Sequence, residues 1–206
     1  MANTTRFRPD DLGNTSEGGG NKFLGFVPVA IMDYQDKSEM WDWADVYLDL
    51  TLQIEDSQYP IRMQVCGSYD REANGNIKTS SLLKRVYYLL DAIGCQGGPD
   101  KNGNWVDENG KEIEDIANFL SNNHASNPLK PSFDYYAYVY KKEPGKDGKS
   151  YTEVYPRLVP NTEKGRTELE GYIAFCKGKN LIKEFDGTVP QNGAVPTANA
   201  GEPTQF

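Results

Sequence analysis

A change of hydrophobic period within residues 43–94 constrains the fold of this chain more than any other feature. Residues 44–54 alternate between apolar and polar side chains, and residues 61–66 do so again after the turn SQYP. Successive side chains of a strand point to opposite faces, so this alternation predicts two strands that each bury one face. From Ser80 the apolar residues follow helical spacing, and Gly94 stands where a left-handed cap would end the helix. The segment therefore predicts an antiparallel sheet with one helix folded against it.

The rest of the chain extends this unit to five strands. Residues 23–34 predict a first strand, at an edge or bulged at Pro28, because proline lacks a ladder donor. The other predicted elements are a small hairpin around Trp105 in the insertion 94–112, helices over 112–121 and 167–177, and paired strands over 133–142 and 151–159. Three strands, a helix and two further strands follow the sequential order of an OB fold. The predicted fold class is mainly β with helices: an OB-fold-like five-stranded barrel with a helix between strands 3 and 4, a small hairpin insertion and a C-terminal helix.

The two ends of the chain differ in composition from its middle. Residues 1–22 contain a triple glycine and few apolar side chains, which predicts a flexible N-terminal arm. Residues 186–206 are rich in Pro, Ala, Gly and Asn, which predicts a disordered C-terminal tail. Residues 23–185 are predicted to form one OB-like binding domain. Because there is no membrane-length apolar run and no signal-peptide core, and the three cysteines are widely spaced, we expect a soluble cytoplasmic protein.

Charge is distributed unevenly along the sequence. The net charge is −8, which by itself argues against a nucleic-acid partner. However, residues 33–56 carry eight acids against Lys37 alone, whereas residues 130–183 carry eleven bases against seven acids. The chain is therefore predicted to segregate its charge and to present a positive groove from its C-terminal half.

Catalytic motifs are absent from the sequence. There is no GxSxG, P-loop or GxGxxG pattern, and the single histidine, His124, lies in a polar loop. The segment that starts at Asp70 resembles a calcium loop, but Ser81 stands where the twelfth-position glutamate is needed. We therefore expect a protein that is not an enzyme, with no catalytic residues, no metal site and no cofactor.

Aromatic and basic residues carry the functional prediction. Single-stranded nucleic acid is bound by flat side chains that stack on bases, beside Lys and Arg side chains that follow the phosphates. Tyr136, Tyr138 and Tyr140 share one face of a predicted strand; either they stack bases, or they cover half-buried surface as strand tyrosines often do. The predicted nucleic-acid-binding residues are these three tyrosines, then Lys141, Lys142, Lys146 and Lys149, and elsewhere Arg62, Arg71, Arg157, Tyr47, Tyr69 and Trp105.

Six stretches carry a resemblance to a known group of proteins. They are WADVYLDLTLQI, YPIRMQVCGSYD, NGNI, SSLLKRVYYLLDAIG, GNWVDENGKEI and YVYKKEPGKDGKSYTEV. In element order and turn placement, residues 23–185 are similar to the single-stranded DNA-binding proteins of tailed bacteriophages that act in replication and recombination. The resemblance implies a non-enzymatic viral protein that coats single-stranded DNA in the cytoplasm of the host cell.

The same resemblance bears on the end of the chain. Such phage proteins close on a flexible acidic tail with a terminal aromatic residue that recruits replication proteins, which implies a partner-binding role for Phe206. This tail departs from that pattern, because Asp186 and Glu202 are its only acids. Two other hypotheses stay open: a phage structural, accessory or carbohydrate-binding module on the same barrel, and a regulator of a phage enzyme. A homo-oligomer is compatible with all three.

Overall fold

The computed structural model describes residues 23–124, 129–146 and 148–185. Its elements, in chain order, are β1 (Gly25–Asp36), a 3-10 turn (Ser38–Met40), β2 (Val46–Ile54), β3 (Ile61–Gly67), α1 (Ser81–Ile93), β4 (Gly98–Pro99), β5 (Trp105–Val106), α2 (Ile116–Asn123), β6 (Tyr135–Lys141), β7 (Thr152–Val154), β8 (Val159–Pro160) and α3 (Glu163–Gly178).

Five antiparallel strands form a nearly closed barrel. They lie in the order β3-β2-β1-β6-β7, and β8 adds to β6 beside β7. The terminal strands β3 and β7 approach each other without pairing, which leaves a seam in the barrel wall. With α1 between the third and fourth barrel strands, β4 and β5 as a small hairpin and α3 at the end, the predicted OB-fold-like class is confirmed.

The predicted alternation of β2 and β3 is also confirmed. The side chains inside the barrel are Val46, Leu48, Leu50, Leu52 and Ile54 from β2, with Met63 and Val65 from β3. On the outer face the register places Tyr47 opposite Cys66 and Thr51 opposite Arg62. Directly opposite side chains of an antiparallel pair are near neighbours, so the polar residues of both strands share one outer surface.

Helix α1 begins and ends where the sequence predicts. The Ser80 hydroxyl oxygen accepts a hydrogen bond from the Leu83 N–H at 3.3 Å, and Gly94 has a φ of 69°. An N-cap of this kind contributes about 1 kcal/mol of stability. The buried face of α1, which includes Val86 and Leu90, packs into the barrel core.

Helix α3 covers the outer face of β6 and forms a second, smaller core there. Leu169, Ile173 and Cys176 of the helix are buried against this strand. The close approach depends on Gly165, because a Cβ at that position would lie 2.2 Å from the carbonyl oxygen of Pro160. This layer decides which surfaces of the barrel stay open.

The expectation that the first strand is an edge strand, or is bulged at Pro28, is wrong for the strand as a whole, although the ladder to β2 starts only at Val29. Strand β1 lies between β2 and β6, and its register shift falls between Ile31 and Asp33. The Pro28 carbonyl accepts a hydrogen bond from the Glu55 N–H, just past the end of β2. The missing donor of Pro28 therefore faces the side on which its neighbour strand has ended, where proline costs no ladder bond.

Three other predicted boundaries shift because of caps and a proline. α2 begins at Ile116 rather than at 112, since the Asp115 carboxylate accepts a hydrogen bond from the Asn118 N–H at 2.9 Å. α3 begins four residues earlier than predicted, since Thr162 caps it. The strand predicted over 151–159 is split into β7 and β8 around Pro156.

The predicted arm over residues 1–22 and the tail over residues 186–206 lie outside the described residues. No helix within the described ranges has both the length and the apolar character needed to cross a membrane.

Candidate functional site

The three predicted stacking tyrosines lie beneath α3. Tyr136, Tyr138 and Tyr140 do share the outer face of β6, but Tyr138 is only 3% exposed and Tyr140 only 9%. Tyr136 is half-buried, with the ring of Phe26 stacked at 6.1 Å and the Arg166 guanidinium 5.1 Å from its centroid. The prediction that Tyr138 offers its ring to a base is therefore wrong, because the apolar side chains of α3 already occupy that surface. The small exposed part of Tyr140 lines a groove between β3 and β7.

Polar contacts hold the two buried tyrosines in this second core. The Tyr138 hydroxyl donates to the Glu184 carboxylate at 2.9 Å, and Lys177 Nζ lies 4.8 Å from the ring centroid. The Tyr140 hydroxyl donates to Glu153 at 3.1 Å. Burial raises the pKa of Tyr140, and the Glu153 carboxylate adds to the rise. The hydroxyl groups of both tyrosines thus have a hydrogen-bond partner inside the protein.

Arg157 is a packing residue rather than a phosphate ligand. Its guanidinium carbon lies 4.1 Å from the ring centroids of Tyr88 in α1 and Tyr172 in α3. It also pairs with Glu168, and only 7% of the residue is exposed. The predicted phosphate contact is wrong because the two rings enclose the cation, which joins α1 to α3.

Three more of the predicted residues stabilise the fold: Tyr69, Trp105 and Arg71. Tyr69 and Trp105 are buried in the barrel core, so the prediction that they contact bases is wrong. Arg71 is exposed, but its Nη2 lies 3.1 Å from Asp45 Oδ1 and its Nη1 donates to the Asn102 carbonyl at 2.9 Å. Arg71 therefore connects two surface loops.

A groove of about 1030 Å³ follows the seam between β3 and β7. The first two turns of α1 form its third wall, and residues of α3 and of the segment after β7 close one end. The charged residues that line it are Arg62, Lys84, Arg85 and Lys142 against Asp70 and Glu153, an excess of two positive charges. A second cavity of about 540 Å³ is balanced, with Lys177 and Lys183 against Glu143 and Glu184. We call the first one the cationic groove.

Two bases of the cationic groove have no ion-pair partner in the part of the chain that the structure describes. They are Lys84 and Arg85, on successive positions of α1. The Arg85 cation acts on two groups inside the groove: burial raises the pKa of Cys66 and of Tyr140, and Arg85 opposes both rises. The α1 side of the groove therefore has positive charge available for an anion.

The other two bases are paired at the rim. Arg62 Nη1 lies 3.0 Å from Asp49 Oδ2, and Lys37 Nζ lies 2.6 Å from the same oxygen. Lys142 Nζ lies 3.0 Å from the Glu153 carboxylate. Asp49 is 4% exposed, so its charge is neutralised in place and it orients Arg62 along the outer face of β3.

An aromatic cluster with two exposed rings lies on the loop between β1 and β2 and at the start of β2. Trp41 is 44% exposed and Trp43 is 53% exposed. The Trp41 ring stacks on Tyr47 at 6.0 Å with an interplanar angle of 21°, and the Trp43 ring meets Tyr47 edge-on at 6.0 Å. We call Trp41, Trp43 and Tyr47 the aromatic platform. Soluble proteins rarely expose such rings together unless they bind something.

Several hydrogen bonds fix the loop that carries the platform. The Lys37 N–H donates to the Tyr47 carbonyl at 2.8 Å, and the Tyr47 N–H donates to the Ser38 hydroxyl oxygen at 2.9 Å. The Ser68 hydroxyl donates to the Trp43 carbonyl. Tyr47 lies opposite Cys66, which lines the groove, so platform and groove form one continuous surface.

The remaining predicted residues lie around this surface or outside the described residues. Lys146 and Lys149 are exposed on the β6–β7 loop. Lys141 is half-buried, with Nζ 5.4 Å from the ring centroid of Phe185. Phe206 lies outside the described residues. Of the predicted set, four residues are brought together at the platform and the groove: Tyr47, Arg62, Tyr140 and Lys142.

Sequence reasoning missed four residues of this surface: Trp41, Trp43, Lys84 and Arg85. A signal for the first two was present, because the motif WDW stands in a polar turn that has no core face to fill. The second pair falls between the apolar positions of α1, on its polar face near the N-terminus.

Within the described ranges, no group of three or more His, Cys, Asp and Glu side chains is placed to hold a metal ion. Comparison with known proteins returned no match, whether to a protein-family model, to a curated protein or to a solved structure.

Proposed function

We propose that this chain is a non-enzymatic single-stranded DNA-binding protein whose ligand lies on the outer face of β2 and β3 and along the cationic groove. Phosphates contact Lys84, Arg85 and Arg62, and bases face the aromatic platform. A place in phage replication or recombination, in the host cytoplasm and with Phe206 recruiting replication proteins, belongs to the same proposal and derives from the sequence resemblance alone.

The observation that carries the proposal is the charge of the groove. In a chain of net charge −8, the cationic groove has a surplus of basic side chains, and two of them lack an ion-pair partner among the described residues. Segregated positive charge on an acidic protein focuses the potential and attracts a polyanion to one place. In OB folds the face of strands 2 and 3, with the adjoining loops, binds oligonucleotides, and the groove borders that same face.

The test is the salt dependence of oligo-dT binding in two charge-reversal variants of equal net charge. Lys84→Glu with Arg85→Glu removes two predicted phosphate contacts. The control is Lys111→Glu with Lys164→Glu, two exposed lysines that do not line the groove. Each contact to a single strand contributes about −0.7 to the slope of log K against log salt concentration. We expect the groove variant to bind more weakly and to lose about 1.4 from the slope.

The control variant separates local contact from general charge. We expect it to retain the wild-type slope, because its two lysines are remote from the phosphate path. Equal slopes in the groove variant and the wild-type protein would remove the groove from the DNA path. If the wild-type protein does not bind oligo-dT at low salt, the proposed function fails as a whole.

A further inference from the structure

The loop between β1 and β2 combines exposed aromatic rings, which can stack on a flat ligand, with exposed carboxylates, which repel an anion. It presents the flat faces of Trp41 and Trp43, and it carries the exposed carboxylates Glu39 and Asp42. Its one base, Lys37, is already bound to Asp49 at 2.6 Å. Arg71, from outside the loop, is paired with Asp45 of the loop at 3.1 Å. Among the described residues a phosphate therefore meets no unpaired cation there, whereas an uncharged flat group meets two exposed rings.

From this we infer that the aromatic platform is a base-binding subsite from which the phosphate backbone is excluded. The inference rests on the proposed function and adds an orientation to it. Bases of an unpaired strand stack on Trp41 and Trp43, while the backbone runs on the opposite side, past Arg62 toward Lys84 and Arg85. The carboxylates of the loop repel the phosphates, and the basic side chains of α1 attract them. Together they fix this orientation.

The subsite is formed before the ligand arrives. Trp41 is already stacked against Tyr47. The start and the end of the loop are joined by the Lys37 N–H, which donates to the Tyr47 carbonyl, and by the Tyr47 N–H, which donates to the Ser38 hydroxyl oxygen. A strand that binds therefore loses little free energy in ordering the protein. Stacking needs an open base face, so the subsite accepts unpaired bases and rejects a duplex, whose base faces are covered.

A sugar is an alternative ligand for the platform, since tryptophan also stacks on sugar rings. The continuity with the cationic groove favours the nucleic acid: Tyr47 lies opposite Cys66 in the β2–β3 register, and Cys66 lines the groove beside Arg85. A neutral oligosaccharide would leave the Lys and Arg side chains of the cationic groove without an anion.

The test compares an oligo-dT strand with an abasic strand of the same length, which keeps every phosphate and has no base. Binding is measured by anisotropy of a labelled strand, for the wild-type protein and for Trp41→Ala with Trp43→Ala. The control is Tyr59→Ala with Phe175→Ala, two aromatic residues that are exposed elsewhere. Because both platform tryptophans are exposed, the variant should fold, and the buried Trp105 reports on folding by its fluorescence.

We expect the wild-type protein to bind oligo-dT at least tenfold more tightly than the abasic strand. The platform variant should lose that difference by binding oligo-dT more weakly, and its affinity for the abasic strand should stay the same. Its salt slope should also match the wild type, because stacking releases no counterions. Trp41→Phe with Trp43→Phe should restore part of the affinity.

Other outcomes would overturn the inference, and they can be told apart. If the platform variant binds oligo-dT as tightly as the wild type, the subsite is wrong although the DNA-binding function stands. If the variant loses affinity for the abasic strand to the same degree, the loop contacts phosphates and the orientation is wrong. If tryptophan fluorescence responds to a neutral oligosaccharide and not to oligo-dT, the platform binds sugars. If neither strand binds the wild-type protein, the proposed function itself fails.

Discussion

Replacing Tyr138 separates a stacking residue from a core residue. Its ring lies in the second core, 4.7 Å from the ring of Phe26 and 6.0 Å from that of Tyr140, and it is 3% exposed. Truncation of a buried aromatic side chain to alanine costs about 3–5 kcal/mol of unfolding free energy. For a domain of this size, about 2–4 °C of melting temperature accompanies each kcal/mol, so Tyr138→Ala should lower it by about 6–20 °C.

The hydroxyl contributes a smaller and separate part. Tyr138→Phe keeps the ring and removes only the hydrogen bond to Glu184, whose carboxylate still has Lys177 Nζ at 2.5 Å. Such a hydrogen bond contributes about 1 kcal/mol to the free energy of unfolding. Denaturant unfolding of wild type, Tyr138→Phe and Tyr138→Ala should thus give three well-separated midpoints, while Tyr59→Ala, at an exposed position, changes stability by less than about 0.5 kcal/mol.

Affinity for oligo-dT is the second measurement on the same variants. At a temperature where each variant is fully folded, we expect wild-type affinity, because Tyr138 is closed off from solvent by α3. A Tyr138→Phe or Tyr138→Ala protein of unchanged stability whose affinity falls tenfold would refute this assignment, since the ring would then have to reach a base.

Two further predictions concern stability. Gly165→Ala should destabilise the protein by about 1–3 kcal/mol, because its Cβ would meet the Pro160 carbonyl oxygen. Gly171→Ala in the same helix meets nothing within 4 Å and should stabilise the protein by about 0.5–1 kcal/mol. Melting curves check both, and a change of melting temperature in the same direction for the two variants would contradict this reasoning. Burial lowers the pKa of His124, with Asp134 opposing, so the unfolded chain binds the proton more readily. Stability should therefore fall as the pH drops through the usual histidine range near 6.5, and this fall should be smaller in His124→Gln when both are unfolded in denaturant at pH 7.5 and 5.5.

The barrel was accessible to sequence reasoning because its signals are local. The alternation of β2 and the caps of α1 at Ser80 and Gly94 each depend on neighbours within a few residues, and the structure confirms them. The order of strands and helix then left few topologies, and the OB-like one is present. Where a local signal was overlooked, as with the Thr162 cap of α3, the error is confined to the element's first turn.

The site was less accessible because burial of β6 is decided far along the chain. Both faces of the strand carry tyrosines, so its own pattern cannot say which face is open. The answer depends on α3, which docks over Tyr138 and passes close to the Pro160 carbonyl at Gly165. Arg157 is a similar case, because an arginine in a predicted strand looks like a surface residue, whereas in the structure it lies between β7 and β8 and is enclosed by rings from two helices.

Contact of single-stranded DNA with the platform and the groove is tested most directly by crosslinking a photoreactive, thymine-analogue single strand to the full chain and mapping the adducts by mass spectrometry. We expect adducts on the aromatic platform and on the walls of the cationic groove, within residues 37–47, 62–66 and 79–88. Adducts confined to the exposed face of α3, or scattered without preference over the surface, would contradict it.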